Sequence, residues 1–170
     1  RFERLGDSRK ANNNTPTEEF FNELFRVSAN QIIWGYNHFS SILPNCPAFI
    51  FWDKDVSVAN YSDGELAWTS FKKNATKIKI VWDGFRQQDM GNKEHRIHPT
   101  QKPVKLYEWL LKNYAKEGDR ILDTHLGSGS SAIAAHYGGF DFVGIELDED
   151  YYKAACERFD MQTKQYAIRF

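Results

Sequence analysis

The feature that most constrains this chain is residues 123–131, which join a short apolar stretch to an alanine-rich one. Gly127, Gly129 and the small Ala132 match the G-x-G-x-x-G/A pattern of a tight turn between a strand and a helix. Glu146 follows Gly127 by nineteen residues, where an acid that ends the next strand can accept both hydroxyls of a ribose. The pattern therefore predicts a βαβ unit that binds an adenosine-containing cofactor.

The charge beside this turn separates two classes of cofactor. Asp123 directly precedes the turn, at the end of a predicted strand over residues 119–122. A carboxylate there repels the pyrophosphate of a dinucleotide and attracts the ammonium group of S-adenosylmethionine. Dinucleotide turns also usually lie near the start of a chain, whereas this one lies near the end. The sequence favours S-adenosylmethionine, and a NAD-dependent oxidoreductase is the alternative.

Three motifs in this order resemble one known family. They are HPTQKP at residues 98–103, DTHLGSGSS at 123–131 and GIELD at 144–148. The pattern is similar to the DNA amino methyltransferases in the circularly permuted β-group order, where an HPTQKP-like segment precedes the glycine turn. The resemblance extends upstream through residues 19–21, 31–35, 51–54 and 65–68.

The resemblance implies a function and a set of site residues. The function is site-specific transfer of a methyl group from S-adenosylmethionine to an exocyclic amino group of double-stranded DNA, with adenine N6 favoured over cytosine N4. Roles in restriction-modification and in phage self-modification both remain open. The implied cofactor-binding residues are Asp123, Gly127, Ser128 and Gly129 in the glycine turn, Glu146 at the ribose, Thr100, Gln101 and Lys102 over the methionine end, His98 shaping that segment and His125 in a stacking or packing role.

One motif of that family is absent from the sequence. The family uses an Asp/Asn/Ser-Pro-Pro-aromatic tetrapeptide to hold the target amino group, but none of the five prolines here adjoins another. The family order places this tetrapeptide before residues 19–21, hence upstream of Arg1. The catalytic residues are therefore unassigned, and we expect the chain to be part of a longer polypeptide. The alternative is a non-catalytic subunit that binds S-adenosylmethionine or DNA.

Composition predicts one globular domain over residues 1–170, and the resemblance implies that it is a methyltransferase domain. The chain is 41% hydrophobic and 15% aromatic, which is enough to form a substantial core. Its apolar runs are too short to cross a membrane, and no metal site is expected. Cys46 and Cys156 have no metal-type neighbours and are interpreted as thiols of a cytoplasmic protein. Oligomeric state is not predictable from these features.

Positive charge is concentrated in residues 71–105, which hold nine Lys or Arg and three Asp or Glu. Such a block can neutralise the backbone of a nucleic acid, although charge runs are often only solvated surface. Within it, residues 83–97 are polar, contain Gly84 and Gly91, and predict a long loop with a possible DNA contact. We expect sequence specificity to come from short loops, chiefly this one and residues 53–64, or from sequence upstream of Arg1.

Hydrophobic spacing predicts an α/β chain with a mostly parallel twisted sheet and helices on both faces, as in a Rossmann-like methyltransferase. Residues 1–14 are polar and predict a mobile loop. Ser62 and Glu65 form a capping-box pattern that predicts a short helix through Trp68. Predicted strands cover residues 31–34, 48–52, 77–82, 120–122 and 142–145. Further helices are predicted to begin at about residues 16, 103, 130 and 148. Gly118 ends the helix that begins at about residue 103, and Gly138 ends the helix that begins at about residue 130.

Overall fold

The computed structural model describes residues 16–46, 48–56, 62–83 and 85–164. The chain divides into two compact units, Arg1–Val81 and Trp82–Phe170. The predicted mobile loop at residues 1–14 and residues 57–61 of the 53–64 loop lie outside the described residues. The single domain over residues 1–170 remains a prediction.

Helices and strands alternate along most of the chain. The N-terminal unit contains α1 (Glu18–Val27), β1 (Ile32–Trp34), α2 (Tyr36–Phe39), β2 (Phe49–Asp53), β3 (Gly64–Thr69) and β4 (Thr76–Lys79). The C-terminal unit contains α3 (Val104–Tyr114), β5 (Arg120–Asp123), α4 (Ser130–Gly138), β6 (Asp141–Gly144) and α5 (Glu149–Lys164).

The N-terminal unit is built on a four-stranded sheet in the order β1-β3-β2-β4. β3 runs antiparallel to β1 and to β2, whereas β2 and β4 are parallel. In β4 the two lysines are exposed and the alternate residues are half-buried, as the predicted strand with one wet face requires. The strand is shorter than predicted and ends at Lys79.

The helix predicted from Ser62 and Glu65 is wrong, because these residues lie at the start of β3. The Ser62 hydroxyl donates to the Gly64 carbonyl, and Glu65 forms an ion pair with Lys54 at 2.6 Å across the β2-β3 hairpin. A Cβ on Gly64 would lie 2.4 Å from the Trp52 carbonyl oxygen, so the two strands approach closely here. Pairing with strands on both sides satisfies more backbone groups than one capped helical turn would.

The core of the N-terminal unit forms where α1 packs on the sheet. The Thr17 hydroxyl caps α1 by accepting from the Phe20 amide at 3.3 Å. Phe21 is almost fully buried and packs with Leu43 and Trp68. Further along the sheet the buried Trp52 indole donates to the Ile80 carbonyl at 3.0 Å.

The C-terminal unit is a βαβ arrangement with two further helices. β5 and β6 pair in parallel, in register from Arg120 with Asp141 to Asp123 with Gly144. α3 and α4 pack through Val104, Ile133 and Ala134. This confirms the predicted βαβ unit, with α3 ending at Tyr114 rather than at Gly118.

The α/β class is confirmed, but the strand directions are more mixed than predicted. Two of the four strand pairings are parallel and two are antiparallel, because β3, the segment predicted as a helix, is antiparallel to both of its neighbours. Within the part of the chain that the structure describes, no helix is long and apolar enough to span a membrane.

Candidate cofactor-binding site

The glycine turn connects the end of β5 to the start of α4. Gly127 and Gly129 have φ values of +52° and +73°, in the left-handed region that favours glycine. Gly129 is the N-cap of α4, and its amide donates to the Leu126 carbonyl at 3.0 Å. The tight strand-to-helix turn predicted from the sequence is therefore present.

Both glycines also allow close approach of neighbouring segments. A Cβ on Gly127 would lie 3.4 Å from Nδ1 of His98, so the HPTQKP segment lies directly against the turn. A Cβ on Gly129 would lie 3.3 Å from the Cβ of Ala155 in α5. Gly127 therefore faces the HPTQKP segment, whereas Gly129 serves the packing of α5.

The two predicted acids lie at the carboxyl ends of neighbouring parallel strands. Asp123 ends β5, and its carboxylate accepts from the His125 amide at 3.0 Å and from the Ser131 hydroxyl at 2.5 Å. Glu146 follows β6, and its carboxylate accepts from the Gly127 amide at 2.8 Å and from the Asp148 amide at 3.0 Å. These hydrogen bonds hold both carboxylates in place, because their donors lie in the glycine turn, at the start of α4 and just after Glu146.

The HPTQKP segment is arranged around the ring of His98. Nδ1 of His98 accepts from the Thr100 amide at 3.3 Å and lies 3.1 Å from the Thr100 hydroxyl. The ring packs edge-on against Tyr151 with centroids 4.3 Å apart. Burial lowers the pKa of His98 below its ordinary value of 6.5, so the ring is neutral near pH 7 and carries its proton on Nε2. The role of His98 in shaping the segment at a bound cofactor remains a prediction.

The other residues of the segment differ in their exposure. Gln101 is buried, and its side-chain amide accepts from the Ile97 amide at 3.0 Å and donates to the His95 carbonyl at 3.2 Å. Gln101 thus braces the segment from inside. Thr100 is exposed and Lys102 is half-buried, so these two are better placed to contact a ligand.

Ser128 and His125, two further predicted cofactor-binding residues, also differ in their exposure to solvent. The Ser128 hydroxyl is buried and lies 3.1 Å from the Ser130 hydroxyl, so this side chain points into the protein. His125 is exposed, and its Nδ1 lies 3.0 Å from the Thr124 hydroxyl. Its predicted stacking or packing role remains a prediction.

Sequence reasoning missed a buried ion pair next to the turn. Arg158 in α5 donates from Nη2 to Glu94 at 2.7 Å and from Nη1 to the Ser128 carbonyl at 2.7 Å. One signal could have identified Arg158, because it follows the buried Tyr151 and Ala155 at the spacing of one helix face. Glu94 had no such signal, since it lies in a polar loop sixty-four residues away.

Two cavities lie away from the Asp123 and Glu146 carboxylates. One cavity, of about 340 Å³, lies between α4 and α5 and is lined by Gly129, Ala132, His136 and Phe159. The other, of about 540 Å³, adjoins Asp53, Asp55 and Asp63 in the N-terminal unit. Neither cavity is lined by Asp123, Glu146 or a residue of the HPTQKP segment, so size alone does not identify the site.

A family model described as DNA methylase matches residues 10–157, most of the chain. The chain belongs to the DNA methylase family. This confirms the resemblance that the HPTQKP, glycine-turn and GIELD motifs indicated, whereas the circularly permuted arrangement remains a prediction.

The methylase is similar to curated proteins over part of their length. It is 36% identical over 88 residues to the type II methyltransferase M2.DpnII of Streptococcus pneumoniae, which is 52% of this chain and 32% of that protein. It is 35% identical over 82 residues to the type II methyltransferase M.HpaI of Haemophilus parainfluenzae, which is 48% of this chain and 26% of that protein. The chain thus spans about a third or less of the length of these curated relatives.

Solved structures share the fold of the methylase. The M1.HpyAVI–SAM complex aligns with a TM-score of 0.62 and 24% identity, covering 86% of this chain and 84% of that one. The cytosine-N4-specific PvuII DNA methyltransferase aligns with a TM-score of 0.58 and 13% identity, covering 84% and 71%. These matches confirm the Rossmann-like methyltransferase fold.

Proposed function

We propose that this chain binds S-adenosylmethionine at the glycine turn and belongs to an enzyme that methylates an exocyclic amino group in DNA. The observation that carries the proposal is the pair of fixed carboxylates, Asp123 and Glu146, on either side of a left-handed glycine turn. Membership in the DNA methylase family supports the reaction type. Adenine N6 is the favoured target on the motif resemblance.

The residues at the turn suit S-adenosylmethionine better than a dinucleotide. In a dinucleotide site the amides of the turn donate to the pyrophosphate. Here the Gly127 amide already donates to Glu146, and Asp123 adds a second negative charge. These groups disfavour a polyanion and favour a ligand that offers hydroxyl groups and a cation.

The chain's own residues would bind and orient the cofactor. S-adenosylmethionine, when bound, supplies a methyl group attached to a sulfonium, and the neutral thioether is the leaving group when this methyl group is transferred. Glu146 retains acceptor capacity for the ribose hydroxyls beyond its two amide hydrogen bonds, and Asp123 attracts the ammonium group. Thr100 and Lys102 lie in the segment that packs against Gly127 and are proposed to contact the methionine end. Alignment of the reacting groups is then the main contribution of the protein.

DNA is the proposed substrate, and a base in a duplex must be flipped out before its amino group can react. Several cations of the 71–105 block are exposed, among them Lys72, Lys93 and Lys105. Others are partly neutralised, since Lys77 pairs with Asp53 at 2.7 Å and Arg86 with Asp83 at 2.7 Å. We therefore propose that DNA contacts the C-terminal unit at the 83–97 loop, which includes Lys93, and at Lys105. A DNA substrate also implies a cytoplasmic protein.

A second candidate is a non-catalytic subunit that binds S-adenosylmethionine or DNA. The observation that favours it is the absence of adjacent prolines anywhere in the 170 residues. Both forms of this candidate lack methyl transfer, and the form that binds S-adenosylmethionine shares the cofactor site with the enzyme.

Titration calorimetry of the chain with S-adenosylmethionine and with NAD tests the cofactor site. We expect binding of S-adenosylmethionine only. Asp123→Ala should abolish it, and Glu146→Ala should weaken it by about 2–3 kcal/mol because hydrogen bonds to a charged group are lost. Asp160→Ala, an exposed acid late in α5, is the control and should leave the affinity unchanged. Unchanged affinity in both site variants, or preferential binding of NAD, would overturn the proposal.

Methyl transfer distinguishes the two candidates. Duplex DNA is incubated with isotopically labelled S-adenosylmethionine and the protein expressed from its natural gene, then hydrolysed to nucleosides and analysed by mass spectrometry. Labelled N6-methyladenine or N4-methylcytosine supports the enzyme and identifies the base. Cofactor binding without label in DNA supports the non-catalytic subunit.

A further inference from the structure

A buried ion pair connects two parts of the cofactor site through residues that have no assigned role there. The side chains of Arg158 and Glu94 are only 4% and 17% exposed, and their charged atoms lie 2.7 Å apart. Arg158 belongs to α5, and Glu94 lies near the end of the 83–97 loop. Isolated charges are rarely buried to this extent, so the contacts of each partner matter.

Arg158 holds the glycine turn. Its Nη1 donates to the Ser128 carbonyl at 2.7 Å and to the Ser130 hydroxyl at 2.9 Å. Ser128 lies between the two left-handed glycines, and Ser130 is the first residue of α4. The guanidinium therefore restrains the segment of the turn that its glycines leave most free to move.

Glu94 holds the other side of the site. Its carboxylate accepts from the amide of Val104, the residue that follows the HPTQKP segment, at 3.0 Å. Its backbone is fixed as well, because its amide donates to the Gln87 side chain at 2.7 Å and its carbonyl accepts from that side chain at 2.9 Å. One ion pair thus joins the glycine turn to the end of the HPTQKP segment.

Stability alone is a poor explanation for this arrangement. A buried ion pair loses hydration, and apolar residues of similar volume often serve the fold equally well. Nε of Arg158 is buried and has no hydrogen-bond partner among the described residues, so these residues do not fully satisfy the guanidinium. Charge-assisted hydrogen bonds do have one property that apolar contacts lack, because their direction and length are specific.

We propose that Glu94 and Arg158 are positioning residues that fix the glycine turn relative to the HPTQKP segment, so that S-adenosylmethionine meets a preformed site. His98 lies against Gly127, and a shift of either segment would open or close this contact. Affinity gained through a preformed site is lost when the restraint is removed. The inference rests on the proposed function.

The test measures affinity and stability in the same variants of the 170-residue chain. Arg158→Met removes the guanidinium and keeps an unbranched apolar side chain, Arg158→Lys keeps the charge with a different donor geometry, and Glu94→Gln keeps the shape. We expect S-adenosylmethionine affinity, measured well below the unfolding temperature, to fall about tenfold or more in Arg158→Met, with partial recovery in Arg158→Lys. Arg26→Met removes an exposed ion pair with Glu23 and should leave the affinity unchanged.

Each outcome has a defined meaning. Wild-type affinity in a folded Arg158→Met variant overturns the positioning role, even if its unfolding temperature falls. If Arg158→Met does not fold, Glu94→Gln decides, and wild-type affinity in that variant overturns the role. If the wild-type chain itself does not bind S-adenosylmethionine, the proposed function fails and this inference fails with it. A reduced affinity with an unchanged circular dichroism spectrum supports positioning.

Discussion

At the scale of single residues, His98 is the group whose protonation is most clearly linked to folding. Its ring is buried between the glycine turn and Tyr151, and its Nδ1 is occupied by Thr100. Burial is the main cause of its lowered pKa. The charged groups that act on it are Glu146 and Asp148, which favour the protonated form, and Lys102 and Arg96, which oppose it.

This lowered pKa predicts how stability depends on pH. Below pH 6.5 the unfolded chain takes up a proton at His98 that the folded chain resists, so the free energy of unfolding should fall as pH drops below 6.5. Denaturant unfolding between about pH 7.5 and about pH 5.5 measures this slope. His98→Gln should reduce the slope, whereas His38→Gln, at an exposed histidine, should not. Equal slopes for wild type and His98→Gln would contradict the prediction.

At the scale of elements, the 83–97 loop is an ordered structure without regular strands or helices among its described residues. Asp83 accepts from the amides of Phe85 and Arg86 at 2.8 and 2.6 Å, which fixes a turn. The Gln87–Glu94 hydrogen bonds close the loop at its base. Phe85 is 81% exposed on this turn, so a large apolar side chain is presented to solvent from a fixed support.

Phe85 is expected to contact DNA. Aromatic side chains stack on unpaired bases or insert at base steps, with typical contributions of about 1–3 kcal/mol for stacking. Phe85→Ala should therefore weaken binding of duplex DNA, measured by fluorescence anisotropy, without changing affinity for S-adenosylmethionine. Tyr152→Ala removes an aromatic side chain that is 47% exposed on α5 and serves as the control. DNA affinity equal to that of the wild type in Phe85→Ala would exclude a role for this side chain.

At the scale of the whole molecule, the described strands form two sheets, and the smaller one has an exposed apolar face. Leu122 and Val143 are cross-strand neighbours on β5 and β6, and Ile145 continues the same face beyond β6. All three are exposed, and the nearby Leu147 is 96% exposed. Contiguous exposed apolar residues of this kind promote association or binding of apolar ligands.

This face predicts a measurable property of the chain. The 170-residue protein should bind a hydrophobic fluorescent dye, and Val143→Thr with Ile145→Thr should lower the signal by about half or more. Val27→Thr, at an isolated exposed valine in α1, should have little effect. Sedimentation velocity would show whether the same double variant reduces self-association. Dye binding unchanged in the double variant would place the apolar surface elsewhere.

The sequence by itself determined the βαβ unit and its glycine turn. Gly127, Gly129 and Glu146 act within a short stretch of chain, where local geometry and strand order leave few alternatives. The same holds for the helices at α1, α3, α4 and α5, whose apolar spacing is local. The family followed from three motifs that were read in order along the chain.

Only the tertiary structure decided the features that depend on distant partners. The segment at residues 62–68 carries a local helix signal, but it pairs with β1 and β2 and becomes a strand. Gln101 turns inward because Ile97 and His95 offer it backbone partners. Glu94 and Arg158 meet across sixty-four residues, and their pairing follows from how the loop and α5 pack. Hydrogen bonds and ion pairs between distant segments leave no periodic pattern in the sequence, because their geometry exists only after the chain has folded.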